Sequence, residues 1–202
     1  DLPVTRIANK AFYCESITSV TIPGSVTSIG TEAFYNCSAL SSLNLPEGLS
    51  AIGDYAFAEC TKLSSITIPK SMREWGVGIF EDCTGLKSLT IAEGVTYIGR
   101  SAFFGCTGLK SVTIPKTITL IKSNAFNECV GLTSLTIPEK VSSIEQFAFY
   151  GCTGLTSLTI PKSVTKIEYA AFLACTGLTS VKVPKTTNIN SAGFPQNCII
   201  YY

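Results

Sequence analysis

Nine cysteines are the residues of this sequence with the most obvious capacity for chemistry, and they recur every 23 positions. Thiolates ligate metal ions, but metal sites collect their ligands through short spacings such as C-x-x-C, usually with histidine. The sequence contains no such pair and no histidine. We therefore expect neither a metal site nor a cofactor. The nine residues are Cys14, Cys37, Cys60, Cys83, Cys106, Cys129, Cys152, Cys175 and Cys198.

Disulfide formation is a second chemistry open to the same residues. If the 23-residue units stack, equivalent cysteines lie about one strand spacing apart, roughly 5 Å, which is close enough on distance alone. Their Cα to Cβ vectors would run parallel, however, and nine cysteines cannot all pair. We expect buried thiols that act as small core residues.

Catalytic groups are hard to find in this chain. A nucleophile needs an activator, and the commonest one is a positioned histidine. Glu81 and Asp82 form a carboxylate pair, but they are adjacent in a predicted surface loop, and no other carboxylate converges with them recognisably. The recurring glycines precede predicted strands as turns and do not form a phosphate-binding loop. We expect no enzymatic activity.

Composition and charge exclude further classes of protein. The 202 residues are 46% hydrophobic and 14% charged, which predicts a large buried core. A net charge of +1 argues against a nucleic-acid partner. No run of 18 apolar residues exists, so we expect no membrane insertion. The first residues do not open a signal peptide, and any export signal or anchor would lie outside this segment.

The 23-residue period indicates which elements hold these side chains. In LTSLTIP (155–161) the last two aliphatic residues alternate with Ser and Thr, which predicts a strand with one buried face that ends at proline. Ile29, Ala33, Phe34 and Cys37 stand at i, i+4, i+5 and i+8, which predicts about two helical turns. Because one unit cannot bury its own apolar faces, the units must stack.

The pattern L-x-x-L-x-I-P, V-x-x-I and A-F-x-x-C resembles the BspA-like class of leucine-rich repeats over essentially the whole chain, most clearly at 109–129 and 155–175. The resemblance implies an α/β repeat solenoid: a horseshoe with a parallel sheet on the concave side and short helical or irregular segments on the convex side. It also implies surface or secreted proteins of host-associated bacteria and parasitic protists, some linked to adhesion. It supplies no catalytic residues.

The repeats predict one domain, 1–202, with about eight units and irregular ends. Cys14 follows Phe12 by two residues where other units have three, and Cys198 follows Phe194 by four. Residues 199–202 are predicted to form a capping strand at a natural end of the array.

Outward-facing residues of the predicted strands are the candidate binding surface. Serine stands five residues after each of the first eight cysteines, and two residues later comes Thr, Asn or Lys. In register, these side chains form two rows that donate and accept hydrogen bonds, although small hydroxyl residues also suit a crowded, curved sheet. The candidates are Ser42, Asn44, Ser65, Thr67, Ser88, Thr90, Ser111, Thr113, Ser134, Thr136, Ser157 and Thr159.

We predict a non-catalytic binding or adhesion module, extracellular or on a cell surface. Its partner would be a protein or glycan, such as host extracellular matrix or a host cell surface. An alternative is a structural spacer or a solenoid that self-associates weakly, since residues 1–101 hold 7 basic and 10 acidic side chains and 102–202 hold 8 and 4. A more remote alternative is ice binding, for which a curved sheet is unsuited. A loop column beside the rows comprises Glu47, Lys70, Glu93, Lys116, Glu139, Lys162 and Lys185.

One unit departs from the pattern in its core. Met72 and Trp75 replace aliphatic residues and Ile79 replaces alanine, with Gly76 and Gly78 between them. These changes predict either a local groove or repacking around the indole.

Overall fold

The computed structural model describes residues 2–202, which form a parallel β-solenoid of about nine turns. We call each 23-residue turn a coil. A coil has three sides: a strand carrying the Ser/Thr pattern, a second strand of two residues, and a segment of tight turns that contains A-F-x-x-C.

The strands alternate between two sides of the solenoid along most of the chain. In chain order they are β1 (Arg6–Ile7), β2 (Ser19–Thr21), β3 (Ser28–Ile29), β4 (Ser42–Asn44), β5 (Ala51–Ile52), β6 (Ser65–Ile68), β7 (Glu74–Trp75), β8 (Ser88–Ile91), β9 (Tyr97–Ile98), β10 (Ser111–Thr113), β11 (Leu120–Ile121), β12 (Ser143–Ile144), β13 (Ser157–Thr159), β14 (Lys166–Ile167), β15 (Ser180–Lys182) and β16 (Ile199–Tyr201).

Strands of the Ser/Thr side pair in parallel, as the resemblance to BspA-like repeats implied. They form the ladders β2-β4, β6-β8-β10 and β13-β15-β16. The exposed and buried residues alternate along each strand because every second side chain points into the core. Between β10 and β13, the coil of Ser134 contributes only a single bridge to Ser111.

The second side carries the ladders β1-β3-β5-β7 and β9-β11-β12-β14. The two ladders separate where Trp75 takes the position of an isoleucine found in neighbouring strands. A Cβ added to Gly99 would lie 2.6 Å from the Trp75 Cβ, so only glycine allows the coils to approach there.

The helical turns predicted on the third side are wrong: residues 2–202 contain no helix. Hydrogen bonding there alternates, because Phe34 N–H donates to Ala56 O in the next coil at 2.7 Å, whereas Tyr35 N–H donates to Glu32 O in its own turn at 3.2 Å. Glu32 also has a φ of 53°, outside the helical region. A two-turn helix is marginal alone, and bonding between coils satisfies the same groups throughout the array.

Stacked phenylalanines form the centre of the core. Seven rings, one in each coil from Phe34 to Phe172, are fully buried. Neighbouring ring centroids, including those of Phe12 and Phe194 at the ends of the column, are 4.9–5.7 Å apart, with planes within 23° of each other. The stack therefore fixes coil register from within the core.

The cysteine column lies beside the phenylalanine column. All nine thiols are free, and the seven from Cys37 to Cys175 are buried, which confirms the expectation of core thiols for these seven. Each of the seven donates to a Phe carbonyl oxygen of the preceding coil at 3.0–3.4 Å, for example Cys106 to Phe80 at 3.2 Å. Burial raises the pKa of Cys106 well above its ordinary value.

Cys14 is exposed, so the expectation of a buried thiol is wrong at this position. Its N–H donates to Tyr35 O at 2.8 Å, the bond that Asn36 makes to Ala58 O in the next coil. Cys14 and Asn36 both have positive φ, and the Asn36 amide lies 3.7 Å from the Cys14 sulfur. The two-residue spacing from Phe12 thus moves Cys14 into an outward position.

Replacing Phe103 by Ala should lower the free energy of unfolding by about 3–5 kcal/mol, because the substitution leaves a cavity where the fully buried ring was. Phe12→Ala is the matched control in the same column, and since its ring is 37% exposed, we expect a loss of only about 1 kcal/mol. Chemical denaturation measures both values. Equal losses of unfolding free energy in the two variants would show that burial in the phenylalanine column does not stabilise the core.

Thiol labelling of the native protein at mildly alkaline pH should modify Cys14 first. The buried thiols should react at least about a hundredfold more slowly, since they are enclosed and mostly protonated. Mass spectrometry of the labelled protein identifies the sites. Rapid modification of Cys106 without unfolding would contradict this packing.

Candidate ligand-binding face

The twelve predicted binding residues lie on the Ser/Thr side, and all of them are exposed. Within the ladders their rows are in register: Ser65, Ser88 and Ser111 align, as do the threonines two residues later. Ser134 reaches this row through its bridge, while Thr136 and Ser157 lie on opposite sides of the interruption. From Ser42 to Ser157 the rows extend about 24 Å, given a strand spacing of about 4.8 Å.

The candidate side chains have unused hydrogen-bonding groups. Within residues 2–202, none of the twelve makes a side-chain hydrogen bond to the protein. The next column behaves differently, because the Ser41 hydroxyl donates to Thr18 O at 3.1 Å and the Thr179 hydroxyl donates to Thr156 O at 3.1 Å. Hydroxyls of that column join neighbouring coils, whereas the side chains of the candidate rows have no protein partners within the described residues.

The rows themselves are uncharged except where Lys182 takes the place of a threonine. Charge is concentrated in the adjacent loop column, whose seven residues are all exposed. Its signs alternate from coil to coil until Lys185 follows Lys162, and the Glu93 carboxylate accepts a hydrogen bond from Lys116 N–H at 3.3 Å. A ligand on the rows would therefore meet a charged margin along one side.

Both interpretations of the unusual Trp75 unit have support. Met72 and Ile79 are buried, and the Trp75 ring packs against Tyr97 and Phe103 at 6.4 and 6.3 Å between centroids, which is repacking. A shallow cavity of about 450 Å³ lies beside the indole. Its lining includes glycines of three successive coils, Gly30, Gly53 and Gly76. None of the predicted binding residues lines it.

A cluster on the turn side was missed by reasoning from sequence. Glu81 and Asp82, which we expected to stand apart from other carboxylates, line a cavity of about 320 Å³ together with Glu59 and Tyr35. The hydrogen bond that Tyr35 donates to Glu59, followed by burial, raises the pKa of Tyr35 to about 12. Burial and the neighbouring carboxylates raise the pKa of Glu81 and of Asp82. The sequence held a signal for this cluster, because Glu59 stands 22 residues before Glu81 and 23 before Asp82, which is about one repeat.

This cluster does not make a recognisable metal centre. Across residues 2–202 no group of three or more Cys, Asp or Glu side chains has an arrangement suited to a metal ion. No helix in the same range has the length and apolarity needed to cross a bilayer.

Replacing Glu81 by Gln should stabilise the protein at neutral pH. The gain should be only about 0.5 kcal/mol, because the carboxyl is partly exposed and its charge is partly screened. Its raised pKa means that the folded state holds the proton more tightly. Stability is therefore lost as pH rises from the ordinary pKa of 4.5 towards the higher folded value, and the variant escapes that loss. Thermal unfolding at neutral pH and below pH 4.5 measures the difference, which should vanish at the lower pH. Glu47→Gln is the exposed control, and an equal shift in both variants would contradict the argument.

Comparison with known proteins places the chain among bacterial repeat proteins. The model of the BspA type leucine rich repeat region, present in six copies, matches residues 5–130 and 78–201. No curated protein sequence matches the chain. A leucine-rich repeat protein from Eubacterium ventriosum has 29% identity and a TM-score of 0.78, covering 89% of this chain and 48% of its own.

Two further solved structures are similar over most of the chain. A leucine rich cell surface protein from Faecalibacterium prausnitzii has 31% identity and a TM-score of 0.72, covering 92% of this chain and 60% of its own. A leucine-rich repeat protein from Bacteroides ovatus has 26% identity and a TM-score of 0.71, covering 98% and 55%. The chain thus spans about half the length of these proteins. With repeats matched along nearly all of its length, it belongs to the BspA-type leucine-rich-repeat family.

Proposed function

We propose that this protein is a non-catalytic binding module, extracellular or displayed on a cell surface, that recognises a protein or glycan through its Ser/Thr rows. The observation that carries the proposal is the set of twelve exposed side chains whose hydrogen-bonding groups are unused within the described residues. The backbone of ten of them is held in strands, so the protein loses little conformational entropy when a ligand binds there.

The dimensions of the rows favour an extended ligand. A surface about 24 Å long with regularly repeated donors and acceptors suits a polypeptide or an oligosaccharide better than a compact metabolite. Because most of the rows carry no charge, a bound ligand would be oriented by hydrogen bonds and by the charged loop column.

The family supports this class of function and this location. Leucine-rich-repeat solenoids generally act as scaffolds for interaction, and the Faecalibacterium prausnitzii relative is described as a cell surface protein. We extend that location to this chain as part of the proposal. Host extracellular matrix and host cell-surface glycans are the first partners to examine.

Ice binding has less support than recognition of a macromolecule. Asn44 and Lys182 interrupt the threonine row, and the ladder is interrupted around Ser134. A lattice match requires a regular array, whereas a flexible polymer tolerates such irregularities.

Substituting the central rows tests the proposal. The quadruple variant Ser88→Gln, Thr90→Gln, Ser111→Gln and Thr113→Gln should weaken binding to immobilised matrix proteins or glycans at least about tenfold, because the larger side chains block contact along two coils. Surface plasmon resonance measures the affinity, and thermal unfolding checks the fold. Ser143→Gln in β12, on the other strand side, is the matched control.

Binding that survives the quadruple variant and is lost in Ser143→Gln would place the site elsewhere. If partner binding is unchanged while sedimentation shows altered self-association, the solenoid is instead a spacer or assembly element.

A further inference from the structure

A groove crosses the Ser/Thr side near its C-terminal end. It consists of two adjoining hollows of about 390 and 400 Å³ that share Glu139, Thr159 and Pro161. The first hollow also contains Thr136 and Tyr201. We call these two hollows the C-terminal groove; the second is completed by Lys162, Lys182 and Tyr202.

Part of the groove lies where the regular array is interrupted. Its first hollow spans Thr136 and β13, which are not joined by ladder hydrogen bonds, and Leu135 beneath it is only partly buried. The first hollow therefore lies at a break in the ladder, whereas the second lies over the paired strands β13 and β15.

Two aromatic side chains provide apolar walls of the C-terminal groove. Tyr201 pairs with Lys182 at the backbone level, yet its side chain lines the same hollow as Thr136, so it reaches along the face towards earlier coils. Tyr201 is 47% exposed and Tyr202 64% exposed. Accessible phenol rings beside hydroxyl groups combine an apolar face with hydrogen-bonding groups.

The charges of the groove favour an anionic ligand. Lys162 and Lys182 line the second hollow, and Glu139 is the one acidic side chain in the described lining. Lys182 occupies the position of the threonine row, so the departure from the repeat falls inside the groove. The half of the chain that holds the groove also carries the basic excess, with 8 basic and 4 acidic side chains.

We propose that the C-terminal groove binds an anionic saccharide, carrying carboxylate or sulfate groups. The lysines pair with the acid groups, Thr136, Ser157, Thr159 and Glu139 bond to sugar hydroxyls, and the tyrosine rings cover the carbon face of the ring. The inference rests on the proposed function, since three of these residues belong to the candidate rows. A saccharide fits better than an acidic peptide, because three Ser/Thr hydroxyls and two tyrosine rings line the groove together.

Isothermal titration calorimetry with three probes tests the inference: a heparin-derived oligosaccharide, a neutral dextran oligosaccharide, and a poly-glutamate peptide. We expect the heparin-derived probe to bind at least about tenfold more tightly than either of the others, with an affinity that falls as salt is added. Lys182→Thr, which restores the usual residue of the row and should fold normally, should weaken binding about fivefold. Tyr201→Ala should weaken it about tenfold.

A pair of lysines in the same loop column provides the matched control. Lys162→Gln should weaken binding of the heparin-derived probe about fivefold, whereas Lys70→Gln, outside the groove, should leave it unchanged. Equal effects of the two variants would overturn the inference, because attraction would then depend on overall charge alone. Equal affinity for poly-glutamate would also overturn it and identify an acidic peptide as the ligand.

The same probes separate this inference from the proposed function. If the heparin-derived probe does not bind while matrix binding still depends on the central rows, the inference fails and the proposed function stands. If the groove binds the probe while the quadruple variant retains all matrix binding, the central rows are not the binding surface and the groove is an independent site.

Discussion

Stacking of each coil on the next, at one strand spacing, is the constraint on which the rest of this molecule depends. It requires equivalent backbone groups to point along the solenoid, so hydrogen bonds run between coils on all three sides. It also places identical side chains above one another, which produces the phenylalanine stack and the row of thiols bonded to Phe carbonyls. Core, surface rows and irregular sites all take their positions from this register.

The same constraint explains the failed helix prediction. The apolar spacing from Ile29 to Cys37 fits one face of a helix, and a single unit offers no reason to reject it. In the stack, however, alternate N–H groups find carbonyl oxygens in the next coil, and residues such as Glu32 adopt positive φ to direct them there. Hydrogen bonding of backbone groups between coils therefore determines the local structure, and the helix indicated by the apolar spacing does not form.

The surfaces proposed to bind ligands arise both where the coils repeat regularly and where they do not. The central rows are regular because small hydroxyl residues recur in register and remain free of internal bonds. The C-terminal groove and the Trp75 cavity lie where one coil does not repeat its neighbour. A repeat fold can thus carry an extended surface and local sites without separate domains.

From the sequence alone came the period, the outward position of the candidate residues and the burial of the thiols from Cys37 to Cys175, because each follows from repeated side-chain patterns. The parallel pairing of the strands was implied by the family resemblance. The tertiary structure decided what depends on contacts between coils: the turns that replace helices, the outward register of Cys14, the meeting of Glu59 with Glu81, and the groove beside Thr136. A pattern records which side chains are apolar, whereas the direction of a backbone bond and the depth of a surface depend on the neighbouring coil.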